Sequence, residues 1–194
     1  KLKSLLKTTV RLLATLTILP LAITHFLLSR LTAADASLES HSQLLSLIPG
    51  TIGSYLRVAF YRLALEHCDA SATISFGVLF SKVGARIGAN VYIGPRCMLG
   101  LVTLEQDVLL GPAVQIPSGP HTHGIKRLDV PIRAQAGQQQ RVTIGRDSWI
   151  GAATIVLADV AEQTIVGAGS IVTKSATPRL ILAGNPASPL AERG

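Results

Sequence analysis

Two cysteines, Cys68 and Cys97, are too few to frame a chain of 194 residues with disulfides, and no cysteine or histidine spacing of a zinc cluster accompanies them. Acid is the scarcer charge: 11 Asp and Glu stand against 18 Lys and Arg, for a formal net charge of +7. Aromatic residues are only 4% of the chain. A basic surface this poor in aromatics, next to a long apolar run, points to a membrane surface and away from nucleic acid. No serine nucleophile elbow and no Cys–His pair is present, so nothing calls for a covalent enzyme intermediate. The length suits one domain with a real core plus an appendage.

What the chain has is a beat of six residues. Aliphatics recur at Ile87, Ile93 and Leu99, then Leu104, Leu110 and Ile116, then Ile144, Ile150 and Val156, then Val160, Val166 and Val172. That period is neither 3.6 nor 2, which excludes an amphipathic helix or an ordinary meander and predicts an all-β solenoid of stacked coils. Glycine follows the aliphatic at Gly88, Gly94, Gly100, Gly111, Gly145, Gly151 and Gly167, where a tight corner needs the conformational freedom of a residue without Cβ. A small or β-branched residue comes four places after the aliphatic, as at Val91, Cys97, Ser148, Thr154, Thr164 and Ser170, which suits a narrow interior. Cys97 therefore reads as a small buried hydrophobe. The gap between Ile116 and Ile144 is a loop extruded from the solenoid, residues 117–141.

Residues 144–189 carry WIG at Trp149, GAGS at Gly167, TK at Thr173 and GNPA at Gly184, in that order. This run resembles the hexapeptide-repeat acyltransferases, in particular the maltose, galactoside and xenobiotic O-acetyltransferase group and its relatives in polysaccharide biosynthesis. The resemblance covers roughly residues 70–190 in the sense of a repeat-length prior. It implies a left-handed parallel β-helix, a homotrimer, and active sites between neighbouring subunits. It also implies an acetyl-CoA-dependent O-acetyltransferase, with acetyl-CoA as co-substrate and no metal.

In the resembling enzymes a loop histidine in the pattern [ST]-G-x-H is the general base. Ser118-Gly119-Pro120-His121 matches it, so the resemblance makes His121 the catalytic residue, with His123 as runner-up. The family's coenzyme A contacts fall on Ala152, Ala168, Thr173 and Lys174. Galactoside-type relatives carry arginines where this chain has Ser188 and Ala191, which leaves Arg193 and Arg179 for the nucleotide phosphates. Arg133, Gln135 and the glutamines at 138–140 offer hydrogen bonds suited to a polyol, and the PIR-x-Q stretch is similar to proteins of surface-polysaccharide synthesis. The expected acceptor is a sugar or lipid-linked glycan. Two other readings are a non-catalytic trimeric scaffold at the membrane and a metal-dependent β-helix hydratase using the His121–His123 pair.

The first 62 residues hold Lys1, Lys3, Lys7, Arg11, Arg30, Arg57 and Arg62 against Asp35 and Glu39, so most of the positive charge lies here. Residues 12–29 carry no formal charge and contain Pro20. Three readings compete: a cleaved secretory signal, a single span, and a Pro20-broken hairpin or interfacial helix with both ends cytoplasmic. The third keeps the site with its cytosolic acyl donor, at the cytoplasmic face of the inner membrane. Residues 42–66 read as a helix pair broken at Pro49-Gly50 that caps the first coil. A sharper alternative turns Arg57 and Arg62 to anionic head groups, with Tyr55 and Tyr61 at the boundary. The expected organisation is an apolar membrane-anchoring segment at 1–33, a helical cap at 34–69, the β-helix at 70–177 and a tail at 178–194.

Overall fold

The computed structural model describes residues 2–194, with side chains from Leu5 onward; Lys1, counted in the basic start of the sequence, lies outside the described residues. Three helices precede the solenoid: α1 (Leu2–Leu31), α2 (Ala34–Ser46) and α3 (Gly50–Ala64). The first coil contains β1 (His67–Cys68), β2 (Thr73–Ile74) and β3 (Leu79–Phe80); the second β4 (Arg86–Ile87), β5 (Tyr92–Ile93) and β6 (Met98–Leu99); the third β7 (Val102–Leu104), β8 (Leu109–Leu110) and β9 (Gln115–Ile116). After the loop come β10 (Val142–Ile144), β11 (Trp149–Ile150), β12 (Ile155–Val156), β13 (Ile165–Val166) and β14 (Ile171–Val172). A hairpin of β15 (Leu180–Gly184) and β16 (Ala187–Glu192) closes the chain within the region expected as a tail.

Strands at equivalent places in successive coils pair in parallel and make three faces. Face A runs β1-β4-β7-β10, face B runs β2-β5-β8-β11-β13-β15-β16, and face C runs β3-β6-β9-β12-β14. From β4 to β14 the inward residue of each strand is one of the periodic aliphatics, and from Ile87 to Val172 these are at most 2% exposed. The solenoid starts earlier than the aliphatic beat: Cys68, Ile74 and Phe80 fill the same inward positions in the first coil. Cysteine and phenylalanine there disguised the repeat.

The corners refine the reading of the glycines. A Cβ on Gly145 would lie 2.4 Å from the Glu162 nitrogen, and one on Gly151 would lie 2.5 Å from the Ala168 nitrogen, both in the next coil. These glycines exist because the coil above passes too close. The left-handed backbone comes two residues later and is carried by ordinary residues, among them Asn90, Arg96, Ala113 and Ala153 with φ of 56 to 62°. Interior hydroxyls are satisfied locally: Ser148 Oγ donates to the Ala161 carbonyl (3.0 Å) and accepts from the Thr164 N–H (3.1 Å).

The helices cover the open first coil. Arg57 is fully buried; its Nε donates to the Ile74 carbonyl of the first coil (3.0 Å), and Nη1 donates to the Leu45 and Ile48 carbonyls at the end of α2 (3.1 and 2.7 Å). One side chain thus satisfies helix-end carbonyls and joins α2, α3 and the solenoid. Tyr61, also fully buried, shares a hydrogen bond with Ser42 Oγ (2.7 Å), which accepts the Phe80 N–H (2.8 Å). The alternative that turned Arg57 and Tyr61 to head groups is therefore overturned, because both are core residues of the cap.

The Pro20-broken hairpin is overturned as well, since α1 runs through Pro20 without interruption. Proline removes one hydrogen bond, and its ring stays on the exposed side. Packing of the stripe Ala14, Ile18, Ala22 and His25 on α2 and α3 holds the helix on both sides of that position. His25 is buried, contacts Ser37 Oγ through Nδ1 (3.0 Å), and lies edge-on to His41 at 5.5 Å.

Replacing Arg57 with Ala leaves three buried carbonyls without their donor, and should cost about 3 kcal/mol, or roughly 6–12 °C in Tm. A loss under about 1 kcal/mol by thermal melting would show that the cap does not depend on it. Burial, and secondarily His41, lower the His25 pKa, so the unfolded chain binds the proton more readily. Stability from this group is complete above its unfolded value near 6.5 and declines as pH falls below it. Melting between pH 7.5 and 5.5 should show that decline, and His25→Asn should flatten it.

Candidate functional site

The loop leaves face C after β9 and returns to face A at β10, so it stands at the C–A corner. Its neck is closed by two residues that the sequence pattern singled out for another reason. Ser118 is buried, its Oγ accepts the Leu101 N–H (2.9 Å), and its carbonyl accepts the Gln140 N–H (2.8 Å). Gly119 has φ of 81°, and a Cβ there would lie 2.8 Å from the Gln140 Cβ. Beyond the neck, Gln138 N–H donates to the His121 carbonyl (2.7 Å). A Cβ on Gly137 would strike the Thr122 carbonyl oxygen at 2.1 Å, which shows how closely the two arms pass. On the return, Arg141 donates to the Gly84 carbonyl (2.7 Å) and pairs with Glu66 (2.9 Å). The Glu66 carboxyl is held below the usual range, first by its hydrogen bond from Arg86 and then by Arg141.

The two histidines share one space, and His123 lines a second as well. His121 and His123 both border an open cavity of about 660 Å³ lined by the loop itself. His123 also borders a groove of about 420 Å³ between the loop and the outer side of face C, whose floor includes Met98, Gln115 and Ile155. Lys82 and Glu39 stand at its edge, and Lys82 pairs with Asp35 of α2 at 3.0 Å. Sequence reasoning missed these groove residues. They are the outward residues, each next to an inward aliphatic that carried the beat: Met98 before Leu99, Gln115 before Ile116, Ile155 before Val156.

Ala152 and Ala168 lie one above the other at the B–C corner, where the Gly169 N–H donates to the Ala152 carbonyl (2.8 Å). That corner leads into Ile155, so face C runs from these alanines to the groove at His123. Thr173 and Lys174 are exposed and follow β14 at the far edge of the same face. The structure thus sets all four along the borders of face C, the two alanines on one side and Thr173-Lys174 on the other. Arg133 is exposed on a short 3-10 turn (Ile132–Ala134). Gln135 braces the loop: its Oε1 accepts the Arg127 N–H (3.0 Å), and its Nε2 donates to the Arg127 and Val130 carbonyls (2.7 and 2.9 Å). Arg193 reaches the Asp147 carbonyl (2.7 Å), and Arg179 reaches Gln163 (3.1 Å). Among the described residues no three His, Cys, Asp or Glu side chains converge on a point that could hold a metal. His25 and His41 are enclosed between the helices.

No family model matches the chain. Nodulation protein L of Rhizobium leguminosarum bv. viciae is 35% identical over 114 residues, which are 56% of this chain and 48% of that protein. Galactoside O-acetyltransferase of Escherichia coli K12 is 28% identical over 114 residues, 51% of this chain and 52% of that one. The chain spans about half the length of the curated relatives it matches. Among solved structures, a maltose O-acetyltransferase from Clostridium difficile 630 superposes with a TM-score of 0.69 at 18% identity, covering 84% of this chain and 90% of that one. An N-acyltransferase from Bacillus cereus, AntD, in complex with coenzyme A and dTDP-4-amino-4,6-dideoxyglucose, does so with a TM-score of 0.55 at 18% identity, over 63% of this chain and 70% of that one. The fold is a left-handed parallel β-helix with helices before it, as expected from the repeats and the resemblance together. Galactoside O-acetyltransferase among the relatives and both of these structural neighbours are acetyltransferases or acyltransferases.

Replacing Gln135 with Ala removes three hydrogen bonds from the loop, each worth roughly 1 kcal/mol. Limited trypsin digestion should then cleave at Lys126 or Arg127 about tenfold faster while the solenoid stays intact. Equal cleavage rates would show that the brace is not what orders the loop.

Proposed function

We propose that the protein is an acyl-CoA-dependent O-acetyltransferase acting on a sugar hydroxyl of a glycan or glycolipid. The observation that carries this reading is the placement of an imidazole over a face of the β-helix bordered by two stacked small-residue corners. Small residues at Ala152 and Ala168 let a pantetheine arm lie flat against the coils, and Lys174 can meet a phosphate as a point charge. A neighbouring fold holds coenzyme A and a sugar nucleotide together, and another is a maltose O-acetyltransferase.

The step is direct. Imidazole takes the proton of the acceptor hydroxyl as its oxygen attacks the thioester carbonyl. The C–S bond then breaks, and the proton passes to the leaving coenzyme A sulfur. A backbone N–H at a coil corner would stabilise the oxyanion. The pattern at Ser118-Gly119 names His121 as base, whereas the groove favours His123, because His123 alone of the two borders face C. Arg133 is the loop group free to meet a polyol. Gln135 positions the loop around it.

The assembly proposed is a homotrimer. Leu128 is fully exposed at the loop tip, with Ile125 and Ile132 also exposed (71% and 58%), and an apolar cluster of this kind is what a neighbouring copy would cover. The unbroken α1 lies along the cytoplasmic surface of the inner membrane, where the acyl donor is available. Its exposed Leu5, Leu12, Leu16 and Leu27 support that placement.

Acetyl transfer from labelled acetyl-CoA to sugar acceptors should fall about 10²- to 10⁴-fold in His123→Ala, with the oligomer preserved. If His121→Ala falls instead and His123→Ala does not, the pattern names the base and the groove does not. Coenzyme A at 100 times its Kd should stabilise the protein by about 2.7 kcal/mol. No thermal shift, together with no acetyl transfer by the unsubstituted protein, would favour the idle scaffold.

A further inference from the structure

A cavity of about 520 Å³ lies where the amino-terminal part of α1, the start of α3 and the first coil meet, and it shares no lining residue with the loop groove. Lys7 and Arg11 enter it from α1, Thr51 and Ser54 from α3, and Thr73 and Ser75 from the first coil. Lys7 and Arg11 are four residues apart and continue the docked stripe of Ala14, Ile18 and Ala22 towards the amino end, so both are directed at the body of the protein. The Nε of Arg11 is buried without a hydrogen-bond partner. Its acidic neighbour, Asp69, is held by the Ser71 N–H and hydroxyl (2.7 and 2.6 Å), and Arg11 is the least of the influences on its carboxyl.

The α3 helix adds a second source of positive potential. It begins at Gly50 behind Pro49, and its N-cap has no side-chain hydrogen bond. Gly50 and Thr51 line the cavity, so the first-turn N–H groups and the positive end of the helix dipole face the space that Lys7 and Arg11 enter. Two cations, a buried donor without an acceptor, uncapped amides and hydroxyl groups form a site for a phosphate. The same stretch of α1 carries Leu5, Leu6, Leu12, Leu13 and Leu16, all exposed. A hydrated inorganic ion gains nothing from that apolar surface, whereas acyl chains attached to the phosphate would cover it.

We infer that this cavity binds the phosphate of an anionic lipid head group, fixing α1 and the first coil at the membrane independently of the acyl-transfer site. The test is flotation of the full chain with vesicles of phosphatidylcholine, with and without phosphatidic acid at one lipid in five. Phosphatidic acid should tighten binding, and Arg11→Gln should weaken the acid-dependent part about fivefold, the value of one basic residue near an anionic surface. Thr51→Glu, which places a like charge at the helix start, should weaken it at least as much. Arg30→Gln, exposed at the other end of the same helix, should leave it unchanged. Comparable losses in Arg30→Gln and Arg11→Gln would overturn the site in favour of diffuse attraction. So would equal binding to both kinds of vesicle, or inorganic phosphate that raises Tm in a protein indifferent to vesicles.

Discussion

The hydrogen bonding of each coil to the next, at a strand separation of about 4.8 Å, is the constraint from which the rest of the molecule follows. At that spacing a Cβ on a corner glycine enters the backbone above, so glycine recurs where the coils turn. The same spacing stacks inward side chains in columns, so aliphatics must alternate with small residues and any hydroxyl among them must find a carbonyl within its own or the adjoining coil. It also leaves the bottom coil with half its backbone groups and its apolar interior uncovered. The helices meet that need, and Arg57 reaches from the cap to the Ile74 carbonyl of the coil it covers.

The repeat was legible because its inward residues are aliphatic over four triplets. It was not legible in the first coil, where Cys68 and Phe80 occupy inward positions without looking like members of the series. The helix pair was read from Pro49-Gly50 and helical spacing, yet spacing alone does not tell which side of a helix meets the core. The alternative that turns Arg57 and Tyr61 to the surface follows residue type, whereas the protein buries both and gives them hydrogen-bond partners inside the cap. Pro20 shows the same limit from the other side. A local breaker signal lost to packing on both flanks, because the missing N–H costs less than separating α1 from α2 and α3.

The candidate site was legible as residue types and only partly as geometry. The pattern at Ser118-Gly119 found the loop neck, whose conformational demands account for both residues, and pointed to the neighbouring histidines. Which of those borders face C depends on how the arms cross at Gly137, a close approach that no short motif records. Gln135 looked like a contact for a polyol and is the residue that ties the loop to itself. The alanines at 152 and 168, small for reasons of stacking, are also what leaves the border of face C open. Here one physical requirement shapes both the stack of coils and the open border beside it.

The neck at Ser118 and Gln140 brings the two ends of the loop together before the third and fourth coils resume their register. Whatever hangs from it leaves the pairing of β10 on β7 in place, so segments of other lengths and chemistries could be exchanged there without shifting a strand below or above. The scaffold behaves as a socket, and the loop as its plug.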